Sequence, residues 1–233
     1  MTGVEGDSGL QSDVLEDLRT AVNYRRWLCA LGLPYFGDDV LEIGSGLGYY
    51  AADWAGMGVR ITASEADPDR LRHLRDVFAD SPVRVRELAV PIREEADYST
   101  VVAYNVLEHI PDDVEALRAF RGLLRPDGAV VLIVPAFGGA MSAFDRAIGH
   151  QRRYTRRTLS DAVVRAGLRV ERCHYVNAPG LLAWYVGMRL LGGRPKEGPL
   201  LSIWDKVVVP VERRLERHVR VPFGQSVFAV ARR

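Results

Sequence analysis

An acidic residue and three glycines lie close together in the run VLEIGSGLG at positions 40–48. Glycine allows left-handed backbone and a close approach to a ligand without a Cβ clash, so these glycines predict a turn that contacts a nucleotide-like cofactor. The dinucleotide pattern G-x-G-x-x-G fails because Tyr49 stands where its spacing requires glycine. Glu42 would repel phosphates, and its charge suits a cationic cofactor instead.

A second acidic residue, Glu65, ends the next apolar segment, about twenty residues beyond the glycines, a spacing typical of ribose recognition. A carboxylate there can accept two hydroxyl hydrogen bonds from a ribose. A solvated strand end is the alternative for Glu65 taken alone. Its distance from Gly44 favours the ribose-binding interpretation.

Three residues are candidates for proton transfer in the chemical step: His109, His150 and Tyr154. His109 follows Glu108 just beyond the predicted fourth strand, close to the cofactor edge of the sheet. The alternative is that His109 has a structural or loop-orienting role, and we favour that role over the role of a base. A hydroxyl acceptor would need such a base.

Arginines crowd the segment around His150, where they predict a pocket for a carboxylate or a phosphate. Arg146, Arg152 and Arg153 are the candidates, and Asn177 could reach the same pocket from the end of a later strand. A solvated basic helix start is the alternative interpretation of these arginines.

Strands and helices alternate strictly along the chain, which predicts an α/β fold with a parallel sheet covered on both faces. A helix over residues 13–31, within an N-terminal cap 13–35, precedes the sheet. The predicted strands span residues 39–43, 59–64, 83–88, 100–104, 129–134, 168–175 and 226–231, and the helices between them span 47–57, 67–79, 112–124 and 156–166.

Length and composition are typical of one globular domain covering residues 1–233. The hydrophobic share is 48%, the charged share is 26% and the net charge is +1, so charge gives no reason to expect nucleic-acid binding. Two distant cysteines predict neither a disulfide framework nor a metal site. The sequence has neither a signal-peptide pattern nor a transmembrane run, and we expect a cytoplasmic protein.

Three motifs in this order resemble those of the class I S-adenosylmethionine-dependent methyltransferases. They are the glycine run at 40–48, NVLEHIPDD at 105–113, and LLRPDG at 123–128 before an apolar strand. Together they cover roughly residues 38–175. The resemblance implies a Rossmann-like three-layer sandwich whose seven-stranded, mostly parallel sheet has an antiparallel last strand, with a helical insertion before that strand.

The resemblance also implies S-adenosylmethionine as cofactor and methyl transfer by in-line displacement. Glu42 would order the loop or face the ammonium group, Glu65 would hold the ribose, and Leu88 and Ala89 would flank the adenine. The full set of implied cofactor-binding residues is Tyr24, Glu42, Gly44, Ser45, Gly46, Gly48, Glu65, Ala66, Leu88, Ala89 and Asn105.

The chemical class of the acceptor is inferred from the arginines and from the long segment 176–225, which is rich in apolar residues. Together they suggest a small amphiphilic, anionic acceptor such as a prenyl diphosphate, a lipid-linked sugar or an acidic polyketide. Segment 176–225 could pack on the core, form a substrate lid or homodimer face, or contact a membrane peripherally. Two rival functions are S-adenosylmethionine binding without methyl transfer, and nicotinamide-dependent oxidoreduction, which Tyr49 and Glu42 disfavour.

Overall fold

The computed structural model describes residues 20–90, 92, 95–190 and 198–233. The predicted first helix therefore lies partly outside the described residues, and its described part is α1, Val22–Gly32. A 3-10 turn over Leu33–Tyr35 follows α1 and contains Pro34. Because proline has no backbone N–H to donate, the helix ends at this point as predicted.

Seven strands form one sheet in the order β3-β2-β1-β4-β5-β7-β6. Pairing is parallel from β3 through β5, whereas β7 is antiparallel to both β5 and β6. The predicted fold, including its antiparallel last strand, is confirmed. The strands are β1 Val40–Glu42, β2 Ile61–Glu65, β3 Arg84–Glu87, β4 Tyr98–Tyr104, β5 Leu124–Pro135, β6 Arg169–Val176 and β7 Ser226–Arg232.

Helices cover both faces of the sheet, and the apolar sequence of β5 explains why. Its alternate residues Val130, Leu132 and Val134 join one buried cluster, and Val131 and Ile133 join the other. A strand buried on both faces needs apolar residues at every position, as in this run. The connecting helices are α2 Tyr49–Gly56, α3 Pro68–Val77, α4 Asp113–Gly122, α5 Ala143–Ala147 and α6 Arg156–Arg165.

Two strands begin earlier than predicted. β4 begins at Tyr98, two residues early, and β5 begins at Leu124 rather than after a turn at 125–128. The register shifts between Tyr98 and Thr100, so the predicted turn forms an irregularity inside the paired strands. Asp127 takes a left-handed φ of 65° there, a conformation that is uncommon outside glycine but enriched for aspartate.

The segment before β7 is helical, as predicted. It contains α7 Ala178–Trp184, α8 Pro199–Ile203 and α9 Val209–Glu216, with π-helical turns over Tyr185–Leu190 and Trp204–Val208. We call residues 176–225 the helical insertion.

A buried aspartate joins the helical insertion to α1. Helix α1 has no side-chain cap of its own, but the Asp205 carboxylate accepts hydrogen bonds from the backbone N–H of Asn23 and Tyr24, at 3.1 and 2.8 Å. These are first-turn donors that would otherwise lack a partner within the helix. Part of the insertion therefore packs on the core, which was one of the predicted alternatives.

The described part of the insertion exposes several large apolar side chains. Its exposed large hydrophobic side chains include Leu182, Tyr185, Val186, Ile203, Val207, Val211 and Leu215. Within the described ranges, no helix has the length and apolar character needed to cross a membrane. The homodimer, the substrate lid and peripheral membrane contact stay predictions.

Candidate cofactor and acceptor site

The turn after β1 depends on glycine for two separate reasons. Gly44, Gly46 and Gly48 have φ values of 66°, 56° and 82°, a left-handed backbone that side chains disfavour. A Cβ at Gly44 would come within 2.9 Å of Val106, and one at Gly48 within 2.8 Å of Leu74. Close packing against protein side chains, rather than ligand approach alone, therefore requires Gly44 and Gly48. Residues 44–48 are the glycine turn below.

Glu65 ties the glycine turn to the start of α3. Its carboxylate accepts hydrogen bonds from the backbone N–H of Gly46, Ala66 and Asp67 at 2.9, 2.8 and 3.0 Å. A carboxylate offers about four lone-pair sites, so roughly one acceptor site remains. The predicted two-hydroxyl contact with a ribose would require one backbone donor to be released.

Glu42 is the last residue of β1 and is buried. Its Oε2 atom has no hydrogen-bond partner among the described residues. Burial raises the pKa of Glu42 to about 7, a side-chain hydrogen bond with Ser45 lowers it and the charge of Glu65 raises it. A buried, unpartnered carboxylate oxygen is costly, so the site favours a cationic or hydrogen-bond-donating ligand here.

Ser45 has a structural role in the same turn. Its backbone N–H donates to the Ser64 carbonyl at 2.8 Å, and its hydroxyl accepts from the Ser64 N–H at 3.0 Å. These bonds attach the glycine turn to β2. The predicted cofactor contact of Ser45 would have to be made beside them.

Other predicted cofactor residues lie at the carboxyl ends of β3 and β4. Asn105 is exposed, with a left-handed φ of 54°, a strained conformation that is often found at functional sites. Leu88 is half-buried and its N–H donates to the Glu65 carbonyl at 3.1 Å, whereas Ala89 is exposed. Their cofactor contacts, and that of Ala66, stay predictions.

Tyr24 lies on α1 against the helical insertion. Its ring centroid is 5.0 Å from that of Trp204. Burial raises the pKa of Tyr24 to about 12, although side-chain hydrogen bonds with Asn177 and Ser226 lower it. The neighbouring Arg25 lies over the Tyr49 ring at 5.3 Å, so α1 reaches the first residue after the glycine turn.

Two histidines predicted as proton-transfer candidates lie together, with a buried acid. The ring centroids of His109 and His150 are 4.7 Å apart, and a ligand atom of each lies within 4.8 Å of the Glu108 carboxylate and of the other. His150 Nε2 is 3.9 Å from Glu108 Oε1. Glu108, His109 and His150 form the histidine cluster below; the sequence had predicted no metal site.

Asp145 fixes the orientation of His150. Its Oδ1 lies 2.8 Å from His150 Nδ1 and 2.7 Å from Arg153 Nη2, and its Oδ2 accepts from the backbone and hydroxyl of Ser142. Burial would raise the pKa of Asp145, but hydrogen bonds from His150 and Arg153 hold it well below its ordinary value. A charged Asp145 therefore restrains the His150 ring.

The two remaining members of the cluster have strongly shifted pKa values. Burial raises the pKa of Glu108 to about 7, opposed by the charges of His150 and Arg153. Burial, together with the charges of His150 and Arg70, lowers the pKa of His109 to about 3. His109 is consequently neutral at neutral pH and is a weak proton acceptor there.

The surroundings of Tyr154 disfavour the catalytic role predicted for it. The residue is buried, its hydroxyl donates to Asp113 at 2.9 Å, and burial beside Asp113 raises its pKa far above the ordinary value. Its backbone also pairs with Pro135 and Phe137. Tyr154 therefore anchors the loop and is unsuited to proton transfer near neutral pH.

Asn177 also differs from its predicted substrate contact. It is fully buried with a left-handed φ of 64°, and it caps α7 by accepting from the Gly180 N–H at 2.8 Å. Its amide nitrogen donates to Gln225 at 2.6 Å. Both ends of the amide are therefore engaged within the protein.

The predicted acceptor-binding arginines have different surroundings. Arg153 is buried, pairs with Asp145 and lies over the Trp184 ring at 4.8 Å. Arg152 pairs with Asp113 at 3.2 Å. Arg146 is exposed and donates to the Ser142 carbonyl at 3.3 Å. Arg153 thus belongs to a structural ion pair, and Arg146 is the arginine of the three that is most accessible to solvent.

Sequence reasoning missed Glu108 and Asp145 as site residues. Glu108 was visible as the acid beside His109, but its burial depends on the loop that returns from β5. Asp145 precedes His150 by five residues on a short helix that was not predicted. A search for an acid within one helical turn or so of His150 would have found it.

The fold and the glycine turn define a Rossmann-like protein with a cofactor site at the carboxyl edge of its sheet. Residues 41–130 match the family model of a methyltransferase domain. An uncharacterized methyltransferase of Mycobacterium ulcerans is 29% identical over 198 residues, which cover 80% of this chain and 76% of that protein. These similarities support the predicted resemblance to the class I S-adenosylmethionine-dependent methyltransferases.

Other similar proteins show how much of their length this chain shares and which fold it shares with them. An uncharacterized methyltransferase of Mycobacterium leprae is 31% identical over 127 residues, covering 53% of this chain and 47% of that protein. The chain thus spans about half the length of the first curated relatives that it matches. A SAM-dependent methyltransferase of Aquifex aeolicus shares the fold, with a TM-score of 0.61, 12% identity and 98% coverage of both chains.

Proposed function

We propose that the chain transfers a methyl group from S-adenosylmethionine to a small-molecule acceptor. The observation that carries the proposal is the buried Glu42 carboxylate, whose Oε2 lacks a partner within the described residues beside the glycine turn. When bound, S-adenosylmethionine supplies a methyl group activated by its positive sulfonium centre. The residues present fit this cofactor, because its ammonium group offers the donors that Glu42 needs.

The protein's part in such a reaction is to position two molecules and to exclude water. Glu42 would hold the ammonium end. Helix α2 begins after Gly48 without a side-chain cap, so its N-terminal N–H groups would suit the carboxylate end. Glu65 would give the ribose its remaining acceptor site, and Asn105 would face the amino-acid portion.

We place the reacting group of the acceptor beside the histidine cluster. Trp184 connects the insertion to the loop that carries His150, because the Arg153 guanidinium lies over its ring and its indole N–H donates to the Ala140 carbonyl at 3.3 Å. Leu182, Tyr185 and Val186 are exposed on the same stretch of the insertion. These contacts support an amphiphilic acceptor whose apolar part lies against the insertion.

Fewer residues support the anionic character of the predicted acceptor than support its apolar part. Arg152 and Arg153 are paired with Asp113 and Asp145, which offset their charges. Arg146 is left as the candidate for an acceptor carboxylate or phosphate. An acceptor with one weakly acidic hydroxyl group fits this balance better than a diphosphate with several charges does.

Cofactor binding is tested by equilibrium titration with S-adenosylmethionine, S-adenosylhomocysteine and NAD. Wild-type protein should bind the first two and not NAD. Glu42→Gln should weaken both by about tenfold to a hundredfold, since one charged hydrogen bond is lost. The control Glu115→Gln alters an exposed glutamate paired with Arg118 and should bind as the wild type does. Preferred binding of NAD, or unchanged binding by Glu42→Gln, would overturn the assignment.

Methyl transfer is tested separately, by measuring S-adenosylhomocysteine formation with matched acceptors. The panel pairs hydroxylated prenyl or polyketide-like compounds with their phosphorylated and neutral unhydroxylated counterparts. Turnover of the hydroxylated members is expected. Tight cofactor binding without turnover of any member would favour the rival function, an S-adenosylmethionine-binding protein that does not transfer methyl.

A further inference from the structure

The histidine cluster joins side chains from two loops at one edge of the sheet. Glu108 and His109 lie in the 3-10 turn Leu107–His109 after β4, and His150 follows α5 after β5. The backbone N–H of Gln151 donates to the Glu108 carbonyl at 2.8 Å, which holds the two loops together. The three side chains are therefore positioned by the fold before any ligand binds.

Glu108 is the acid of this cluster, and its carboxylate lacks hydrogen bonds from the residues that the structure describes. It is fully buried, and neither carboxylate oxygen has a hydrogen-bond partner in the described part of the chain. An ionised carboxylate buried without a partner is strongly unfavourable. His150 Nε2, at 3.9 Å, is too far away to satisfy it by a direct hydrogen bond. The space between these atoms calls for a group that both can bind.

Each histidine of the cluster keeps a ring nitrogen for which the described residues supply no hydrogen bond. His109 Nδ1 is buried and has no hydrogen-bond partner among the residues described. His150 uses Nδ1 for Asp145, which leaves Nε2 as the atom that faces Glu108. A carboxylate that orients a histidine through its second nitrogen is typical of metal sites, where it fixes the ring and raises its basicity.

We propose that Glu108, His109 and His150 bind one divalent first-row transition-metal ion. Their ligand atoms all lie within 4.8 Å of one another. Ligands at about 2.0–2.2 Å from zinc would be roughly 3–4 Å apart, so a small movement of the side chains completes the site. Two imidazoles and one carboxylate suit Zn²⁺, Co²⁺, Fe²⁺ or Mn²⁺ better than Mg²⁺ or Ca²⁺.

Three protein ligands leave at least one coordination position open, as in catalytic zinc sites. A water molecule or an acceptor oxygen can occupy that position, and the ion lowers the pKa of a bound oxygen group. This use of the ion rests on the proposed methyl transfer, whereas binding of the ion does not. The metal site also replaces the proton-transfer roles that the sequence predicted for His109 and His150.

Binding is measured with tag-free protein of residues 1–233 that has been treated with a chelator and dialysed. Titration with Co²⁺ should produce ligand-field absorption bands and saturate at one equivalent, and Zn²⁺ should displace the Co²⁺. Mg²⁺ in excess should not. Saturating Zn²⁺ should also raise the melting temperature, since the ion binds the folded state.

Substitutions locate the ion. Glu108→Gln should weaken Co²⁺ binding by at least about tenfold, and Asp145→Asn by about tenfold to a hundredfold through loss of His150 orientation. Glu108→Gln removes an unpaired buried acid, so it is expected to fold, which circular dichroism checks. The control His174→Gln changes a partly buried histidine on β6, outside the cluster, and should bind Co²⁺ normally.

Two outcomes would overturn the proposal: no saturable Co²⁺ or Zn²⁺ binding by the wild type, or equal binding by wild type and Glu108→Gln. Neither measurement uses cofactor or acceptor. Failure of the metal site would therefore leave the proposed methyl transfer standing, and S-adenosylhomocysteine formation would remain its own test.

Discussion

Two regions at the carboxyl edge of the sheet use buried acids in the same way. In each, one carboxylate is nearly saturated with hydrogen bonds and a second has an unpartnered oxygen within the described chain. Glu65 and Glu42 form this pair at the glycine turn, and Asp145 and Glu108 form it at the histidine cluster. The saturated acid builds the loop, and the unsatisfied acid is left for a ligand.

The regions differ in how the saturated acid is satisfied. Glu65 receives backbone N–H groups from a single strand-turn-helix unit. Asp145 receives mostly side chains, including the buried guanidinium of Arg153. Backbone donors remain near a loop when one side chain changes, whereas a buried guanidinium loses its counter-charge altogether. The histidine cluster should therefore be the more fragile region.

The largest effect is expected for Asp145→Ala. Loss of Asp145 leaves Arg153 buried and unpaired, which should cost about 3–5 kcal/mol of unfolding free energy. Urea denaturation followed by fluorescence measures it. Asp161→Ala, which alters an exposed acid on α6 at 3.9 Å from Arg157, is the control and should change little. A cost below that of removing Glu65 would contradict the comparison.

Glu42→Gln should change how stability depends on pH. The raised pKa of Glu42 means that the folded state holds a proton that the unfolded chain releases first. Its favourable contribution is complete below about pH 4.5, the ordinary pKa, and is lost as the pH rises through about 7. Cofactor-free Glu42→Gln should thus gain stability relative to wild type over this range, by up to about 3 kcal/mol.

Thermal or urea unfolding at several pH values between 4 and 8 makes this measurement. Wild type also contains Glu108 with a raised pKa, so the difference between the two proteins is the relevant quantity. A difference that does not vary with pH would show that Glu42 is not the buried acid described. Saturating cofactor should reverse the sign, because a bound cation favours the charged carboxylate.

A smaller loss is expected for Glu65→Gln. Glutamine keeps one acceptor oxygen, but its NH2 group is itself a donor. It cannot accept a hydrogen bond, so at least one of the three backbone N–H groups loses its partner. One unsatisfied buried donor costs about 1–3 kcal/mol. Urea denaturation measures the loss, and Glu115→Gln is again the control. Loss equal to that of Asp145→Ala would remove the distinction between the two regions.

The glycine-turn region could be predicted because its parts are close in sequence. Glu42, the glycines and Glu65 belong to one strand-helix-strand unit, and motif spacing alone places them at one sheet edge. The antiparallel β7 came only from the family resemblance. What spacing could not predict was that Glu65 is almost filled by backbone donors.

The histidine cluster required long-range contacts that no local pattern encodes. Glu108 becomes buried only when the loop after β5 returns to β4, and Arg153 turns inward only because Asp145 is there. The structural contacts of Tyr154 and Asn177 were missed for the same reason, since their partners Asp113 and Gln225 are distant in sequence. Residue type suggested function at both positions, whereas burial favours a structural role.

The smallest effect is expected for Arg152→Gln, and it tests whether arginines near the cluster bind the acceptor. Arg152 is part-exposed and paired with Asp113, so its removal should cost less than about 1 kcal/mol. It should leave the KM for an anionic acceptor unchanged. Arg146→Gln, its matched comparison, should raise that KM, because no described acid pairs with the exposed Arg146 guanidinium, whereas acids offset Arg152 and Arg153. An equal rise for both variants would mean that Asp113 releases Arg152 when acceptor binds, so that pairing in the free protein would not decide which arginine contacts the acceptor.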